Sequence, residues 1–307
     1  MSQSNLMSPS TTTFPFYIVS AFSSGPFQGN PAAVLFIDSA PIEPAVLQRT
    51  ATNFVQPMLS VVGAQRETSD SKIAAFDISW FTTSQELPAN SFCGHGTIAA
   101  VRAIFERGLV GEGVETIEFR TKSGATIRAC RVGENSVQIR VAGGVLTELA
   151  EEKKLKATKA IFSAFGREVD IKYLGVGSGP YEIYLVVELD EKEDLGNCQV
   201  NIDALRNTGY LTNVFTTTAS GARGQFVSRM FSPATLPAPH SEDAVCGSAH
   251  GLLVPYWSLK NDLKKNEPLR ATQVSSRGGQ LDLLWDGDAV GLTGETFVML
   301  KGEIYLQ

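Results

Sequence analysis

The chain has 307 residues, 43% of them hydrophobic and 19% charged, with a net charge of −6 and a pI near 5.2. That length allows two lobes of ordinary domain size, each with its own core. No basic block, no basic stripe interleaved with aromatics and no run near ~18 apolar residues is present, so neither nucleic acid nor a membrane is an expected partner.

Taken in chain order, residues 1–13 are Ser/Thr-rich and uncharged and read as a disordered leader rather than a signal peptide, having neither a basic start nor an apolar stretch. Strands are expected at 16–22, 32–37, 60–63 and 74–81, with a helix at 43–53. A Pro-bearing loop then reaches Cys93-Gly94-His95-Gly96 and a helical run at 97–105. Strands follow at 115–121, 125–132 and 137–141. The charged stretch 149–159 reads as a solvated helix or linker at a lobe boundary. Beyond it, strands at 171–176 and 182–189 flank a Gly-rich turn, a helix is expected at 202–209, and further strands at 213–218 and 226–231. A second loop reaches Cys246-Gly247-Ser248-Ala249-His250 and a helical run at 251–259, after which 270–307 reads as antiparallel strands punctuated by glycines.

Strands outnumber helices, which disfavours a parallel doubly wound sheet. The expected fold is α+β: two pseudo-symmetric lobes, each a curled, mostly antiparallel sheet around a central helix. The first lobe is placed at 14–148, with 296–307 a candidate strand to complete it, and the second at 149–295.

The two Cys-Gly segments are the main functional signal, because Cys93 and Cys246 hold equivalent places in an internal repeat. A lone cysteine is more often core packing than chemistry. A repeated one just before a helix N-terminus is different: unpaired backbone amides and the positive end of the helix dipole favour a thiolate there. Two such thiols across a cleft form a potential acid–base pair for a proton on carbon, with no cofactor. Cys130 and Cys198 lie outside the repeat. Four cysteines with no CxxC pair, and three histidines with no HExxH, give no metal site; without a secretory signal they point to free thiols in a reducing, cytoplasmic compartment. The segment Gly175-Val176-Gly177-Ser178-Gly179-Pro180 lacks the strand–turn–helix context of a dinucleotide loop. Neither a phosphate-binding GxxxxGK[ST] loop nor a GxSxG elbow occurs.

Four blocks together carry a resemblance: Phe27-Gln28-Gly29-Asn30-Pro31-Ala32-Ala33-Val34; Trp80-Phe81-Thr82 with Cys93-Gly94-His95-Gly96-Thr97; Phe231-Ser232-Pro233 with Glu242-Asp243-Ala244-Val245-Cys246-Gly247-Ser248-Ala249-His250; and Ser276-Arg277-Gly278-Gly279. In this order they resemble the PhzF-like (phenazine biosynthesis-like) family. The resemblance implies the two-lobed diaminopimelate-epimerase fold, no cofactor, a homodimer, and proton transfer at a carbon of a small carboxylate substrate. It departs at two places. The family's usual Asn-x-Ser-Glu-Thr, whose glutamate is the acid/base, is matched by Asn53-Phe54-Val55-Gln56-Pro57, and an amide neither gives nor takes a proton near neutral pH. Where the family usually has Asp-Pro-x-Thr-Gly-Ser, this chain has Asp243-Ala244-Val245-Cys246-Gly247-Ser248, similar to the two-cysteine epimerases and proline racemases.

Three readings follow: an isomerase or epimerase using Cys93 and Cys246 as acid and base, an isomerase using His95 and Asp243, and a non-catalytic relative that binds a small molecule or a partner. His95, two residues after Cys93, is placed to titrate near neutral pH. Asp243 also suits a helix cap. Gly94, Gly96, Gly247 and Ser248 are expected to offer backbone amides to a substrate carboxylate or enolate. Gln56 is a potential donor to the same substrate or a capping residue, and His240 and His250 read as loop and helix residues.

Overall fold

A computed structural model of the protein describes residues 12–38, 42–89, 91–236, 238 and 241–306. His240 and the first eleven residues of the expected leader lie outside the described residues. Thr13, the last residue assigned to that leader, opens the first strand opposite Tyr305.

In the first lobe come β1 (Thr13–Ala21), β2 (Asn30–Phe36), α1 (Pro44–Phe54), β3 (Leu59–Arg66), β4 (Ile73–Phe81), α2 (Gly94–Glu106), β5 (Thr116–Arg120), β6 (Thr126–Arg131) and β7 (Ser136–Ala142). β8 (Leu146–Glu148) and α3 (Glu151–Phe165) lead to the second: β9 (Ile171–Gly177), β10 (Tyr184–Leu189), a 3-10 helix (Ile202–Thr208), β11 (Thr212–Thr218), β12 (Phe226–Phe231), β13 (Glu242–Asp243), α4 (Gly247–Lys260), β14 (Pro268–Gln273), β15 (Gly279–Trp285) and β16 (Ala289–Tyr305). The pairings repeat as the elements do. β2 runs parallel to β3 and β4 to β5; in the second lobe β10 runs parallel to β11 and β12 to β14. The other strand pairs are antiparallel. The expected two pseudo-symmetric α+β lobes are thus present.

Strand exchange ties the lobes together. β7 pairs with the start of β16, from Ala142↔Ala289 to Ser136↔Glu295, and the rest of β16, from Thr296 to Tyr305, pairs with β1. β1 to β7 and β16 therefore close a ring around α2. In the same way the chain leaving β7 crosses over as β8, which pairs with β9 of the second lobe.

Each central helix is apolar over most of its surface, as a helix largely enclosed by a sheet must be. Ile98 to Val101, Ala103 and Ile104 of α2 and Leu252 to Val254 of α4 are fully buried in one core with Phe76, Phe119, Phe226 and Trp257. Pro255 sits inside α4 and has no N–H for the carbonyl of Gly251. That carbonyl instead accepts the N–H of Gly144 in the β7–β8 crossover, at 2.9 Å. Residue 251 has to be glycine, because a Cβ would lie 2.1 Å from the Tyr181 hydroxyl. The stretch 149–159 proves to be part of a packed helix, not a linker: Ala157, Ala160, Ile161 and Ala164 are buried, and most of this face joins the second core with Leu185, Phe215 and Phe231. Its alanines keep the helix close to the sheet, a signal that the surrounding lysines and glutamates hide.

Candidate active site

Helices α2 and α4 begin three to four residues earlier than their apolar runs, at Gly94 and Gly247, because packing overrides the poor helix propensity of glycine. Cys93 and Cys246 are consequently the N-cap residues themselves, both in extended backbone at φ/ψ of −116°/107° and −95°/101°. A Cβ on Gly94 would meet Ile139 Cδ1 at 3.0 Å, and one on Gly247 would meet Leu292 Cδ1 at 3.3 Å. Ile139 and Leu292 are directly opposed in the β7–β16 ladder. The two helix N-termini therefore abut a single rung at the junction of the lobes, and α2 and α4 touch.

In the first lobe, Cys93 Sγ lies 3.6 Å from Nδ1 of the half-buried His95. Gly96 is held tightly: a Cβ there would fall 2.8 Å from Ser60 Oγ, 3.0 Å from Trp80 Cδ1 and 3.1 Å from Cys93 Sγ. Ser60 Oγ donates to the Gly96 carbonyl at 2.9 Å, and Thr97 Oγ1 to that of Cys93 at 2.7 Å. In the second lobe, Cys246 Sγ accepts the Ala249 N–H at 3.4 Å and lies 3.3 Å from Ser248 Oγ. Its own N–H donates to Gln273 Oε1, and the Gln273 amide donates to the Asp243 carbonyl. His250 Nδ1 bonds the Cys246 carbonyl at 2.7 Å.

Asp243 joins the two halves. Asn30, at the start of β2, donates from Nδ2 to Asp243 Oδ1 at 2.5 Å and to the Val245 carbonyl at 3.0 Å. The Val245 backbone and the Cys246 side chain also lie beside the carboxyl and favour its charged form. Burial is the main cause that raises this carboxyl to about 6, against the pull of those neighbours.

The thiols depart from the sequence expectation. Burial pushes Cys93 up to about 12 against the opposing pull of the nearby Gly96 backbone, and the Asp243 charge adds to the rise. Cys246 is pushed up too, first by burial and then by Asp243. The helix-dipole argument for a thiolate fails here because desolvation of two sulfurs that are 7% and 3% exposed outweighs the amides that face them.

Gln56 follows a left-handed Val55 and turns its amide back to the Phe54 carbonyl at 3.2 Å, a local capping role. Gly94 and Gly247 serve as close-packing positions against Ile139 and Leu292. Sequence reasoning missed two residues. Asn30 sits inside the Gly-Asn-Pro block, yet its partner is 213 residues away. Tyr184, whose hydroxyl is 2.8 Å from Ser248 Oγ, lies in an ordinary strand and carries no sequence signal.

Two lobes joined by strand exchange, with both central-helix N-termini at one junction, define an epimerase-type fold. The comparisons agree: the family model described as phenazine biosynthesis-like protein matches residues 19–302. An uncharacterized isomerase of Pseudomonas aeruginosa is 32% identical over 95% of this chain and 98% of its own length. A crystal structure of a PhzF family phenazine biosynthesis protein from Enterococcus faecalis superposes with a TM-score of 0.77 at 28% identity, covering 96% of this chain and 100% of that one. A hydroxyproline epimerase from Agrobacterium vitis shares the fold at a TM-score of 0.59 and 15% identity, over 96% of this chain and 92% of its own. The chain belongs to the phenazine biosynthesis-like family.

Proposed function

We propose that this protein is a cofactor-independent isomerase that moves a proton at a carbon of a small carboxylate substrate, with Asp243 as the resting proton acceptor and His95 as its counterpart in the first lobe. The observation that carries this reading is the placement of Asp243, whose carboxyl is held from the other lobe by Asn30 Nδ2 at 2.5 Å just before the α4 N-terminus; burial raises it to about 6 and pushes both thiols up. A base works best when its pKa lies near the operating pH. Cys93 and Cys246 then line the site, with the Cys246 thiol beside the acceptor. The likeness to relatives named isomerases supports the reaction class.

A two-thiol mechanism is the second reading, favoured by the equivalent N-cap positions of Cys93 and Cys246. The test is deuterium uptake from solvent into a panel of amino acids, cyclic amino acids and ring carboxylates with an acidic C–H, with no cofactor added. Exchange that is lost in Asp243→Asn and retained in Cys93→Ala and Cys246→Ala supports the first reading; exchange lost in either alanine variant transfers the role to the thiols. No exchange across the panel leaves the chain a binding protein.

A further inference from the structure

Asp243 belongs to a strand of only two residues. β13 pairs on one side, Glu242 with Phe231 and Asp243 with Met230 of β12. So short a ladder is marginal by itself. Side chains from elsewhere hold the segment from Asp243 onward: Gln273 donates to the Asp243 carbonyl at 2.5 Å, Ser275 to the Ala244 carbonyl at 2.6 Å, and Asn30 to Asp243 Oδ1 and the Val245 carbonyl. Glu242 is held by Arg229 of β12. Nε donates to Glu242 Oε1 at 2.7 Å and Nη2 to Oε2 at 3.0 Å, while Nη1 donates to the carbonyls of Cys198 at 2.7 Å and Leu195 at 3.3 Å. The guanidinium carbon lies 4.9 Å from the centre of the Phe231 ring, and the two charged side chains are only 11% and 17% exposed. Four of the five guanidinium N–H groups are thereby engaged, a planar fork that a lysine cannot reproduce.

Successive side chains of a strand point to opposite faces. Glu242 therefore turns toward Arg229 on one face of β13, and Asp243 toward Asn30 on the other. We infer that Arg229 is a positioning residue for Asp243: by clamping Glu242 it fixes the tilt of β13, and with it the reach of the Asp243 carboxyl to Asn30 of the other lobe. The same clamp fastens β13 to the turn at 195–198. The guanidinium acts through the strand backbone and contacts none of the groups that move the proton. The inference deepens the function proposed above and rests on that reading only for its catalytic consequence.

The test follows the Asn30–Asp243 contact directly and needs no substrate. The Asn30 side-chain amide is observed by NMR on the 15N-labelled protein at pH 8, where the Asp243 carboxyl is charged, and is assigned by its absence in Asn30→Asp. Its chemical shift is a property of the folded state, so a fall in overall stability leaves it in place. Arg229→Lys retains both charges and loses the fork; the bonded Asn30 proton is expected to move upfield toward a free amide and to exchange with solvent about 10-fold faster. Glu242→Gln keeps the shape of the acid and weakens the clamp, and is expected to move the same proton the same way by less. The double variant is expected to move it no further than Arg229→Lys alone, because the arginine reaches Asp243 only through Glu242. If Arg229→Lys does not fold, Glu242→Gln decides by the same shift. An Asn30 proton that stays at its wild-type shift in the folded variants, or additive shifts in the double variant, overturns the inference. Deuterium uptake into substrate is a separate readout: a moved Asn30 proton with no uptake in wild type leaves the clamp standing and removes only the isomerase reading.

Discussion

The N-termini of α2 and α4 are built on one plan and surrounded differently. Each has a cysteine N-cap, a glycine at the first helical position pressed against the junction ladder, and an apolar helix behind. At α2 the sulfur's near neighbour is an imidazole, and no side chain caps the helix. At α4 the sulfur itself caps the helix through the Ala249 N–H and lies 3.3 Å from a serine hydroxyl, and the nearby carboxyl of Asp243 is held by the other lobe through Asn30. Repetition thus supplies the backbone frame twice, while the ionisable groups are distributed asymmetrically. A proton-transfer site needs that asymmetry, because its acid and its base have to differ.

The largest effect expected from breaking the asymmetry is in Asp243→Asn. Deuterium exchange should fall by ~10²- to 10⁴-fold, the usual contribution of a general base. The same variant should gain stability. A carboxyl raised to about 6 stabilises the folded state fully below its unfolded pKa near 3.8 and loses that contribution as pH rises through 6, so at pH 8 the charge is a cost. Urea unfolding at pH 8 should show Asp243→Asn about 1 to 2 kcal/mol more stable than wild type, a figure reduced for the residue's partial exposure, and the difference should vanish near pH 4.

His250, in the helix that follows Asp243, gives an opposite pH dependence. Buried and lowered to about 4, it is neutral in the folded state. Its contribution is complete above the unfolded value of 6.5 and is lost as pH falls toward 4, because the unfolded chain takes up the proton first. Wild type should lose about 3 kcal/mol more than His250→Gln between pH 7.5 and 4, measured by denaturant unfolding.

Glycine substitutions compare the packing of the two ends. Gly96→Ala drives a methyl group into Ser60, Trp80 and the Cys93 sulfur and should cost about 1 to 3 kcal/mol. Gly247→Ala meets Leu292 at 3.3 Å, where a side-chain rotation gives room, and should cost less than about 1 kcal/mol in the same melts. The smallest effect is expected for Gln56→Glu. Its amide serves the Phe54 carbonyl, so exchange should stay within about threefold of wild type. A large gain would instead return the proton-carrying role to the position where the family usually keeps a glutamate.

Much of this frame could be read from sequence because its signals are local. Strands such as β4 alternate in burial as their residues alternate in polarity, and Cys-Gly before an apolar run marks each central helix. What escaped was set by packing or by contacts distant in sequence. The first turn of each helix was hidden by glycines that are unfavourable in a helix in isolation and required here by Ile139, Trp80 and Leu292. Nothing near Asn30 announces Asp243, and nothing near Tyr184 announces Ser248, because each pair is brought together only when the sheets curl. The thiol charge state was misjudged for the same reason: helix ends can be read along the chain, and burial by the opposite lobe cannot.

The seventeen residues of β16 also set an order of events during synthesis. The first lobe emerges from the ribosome first, yet β1 finds its second neighbour only in Thr296–Tyr305, made after the whole second lobe. Until then the strand has one exposed edge, and α2 lies inside a ring that is not closed. Domains generally fold as units, N-terminal first, and this topology prevents it. A chain ending before Thr296 would carry every side chain of the candidate site and still present an open, adhesive β1 edge to the cell.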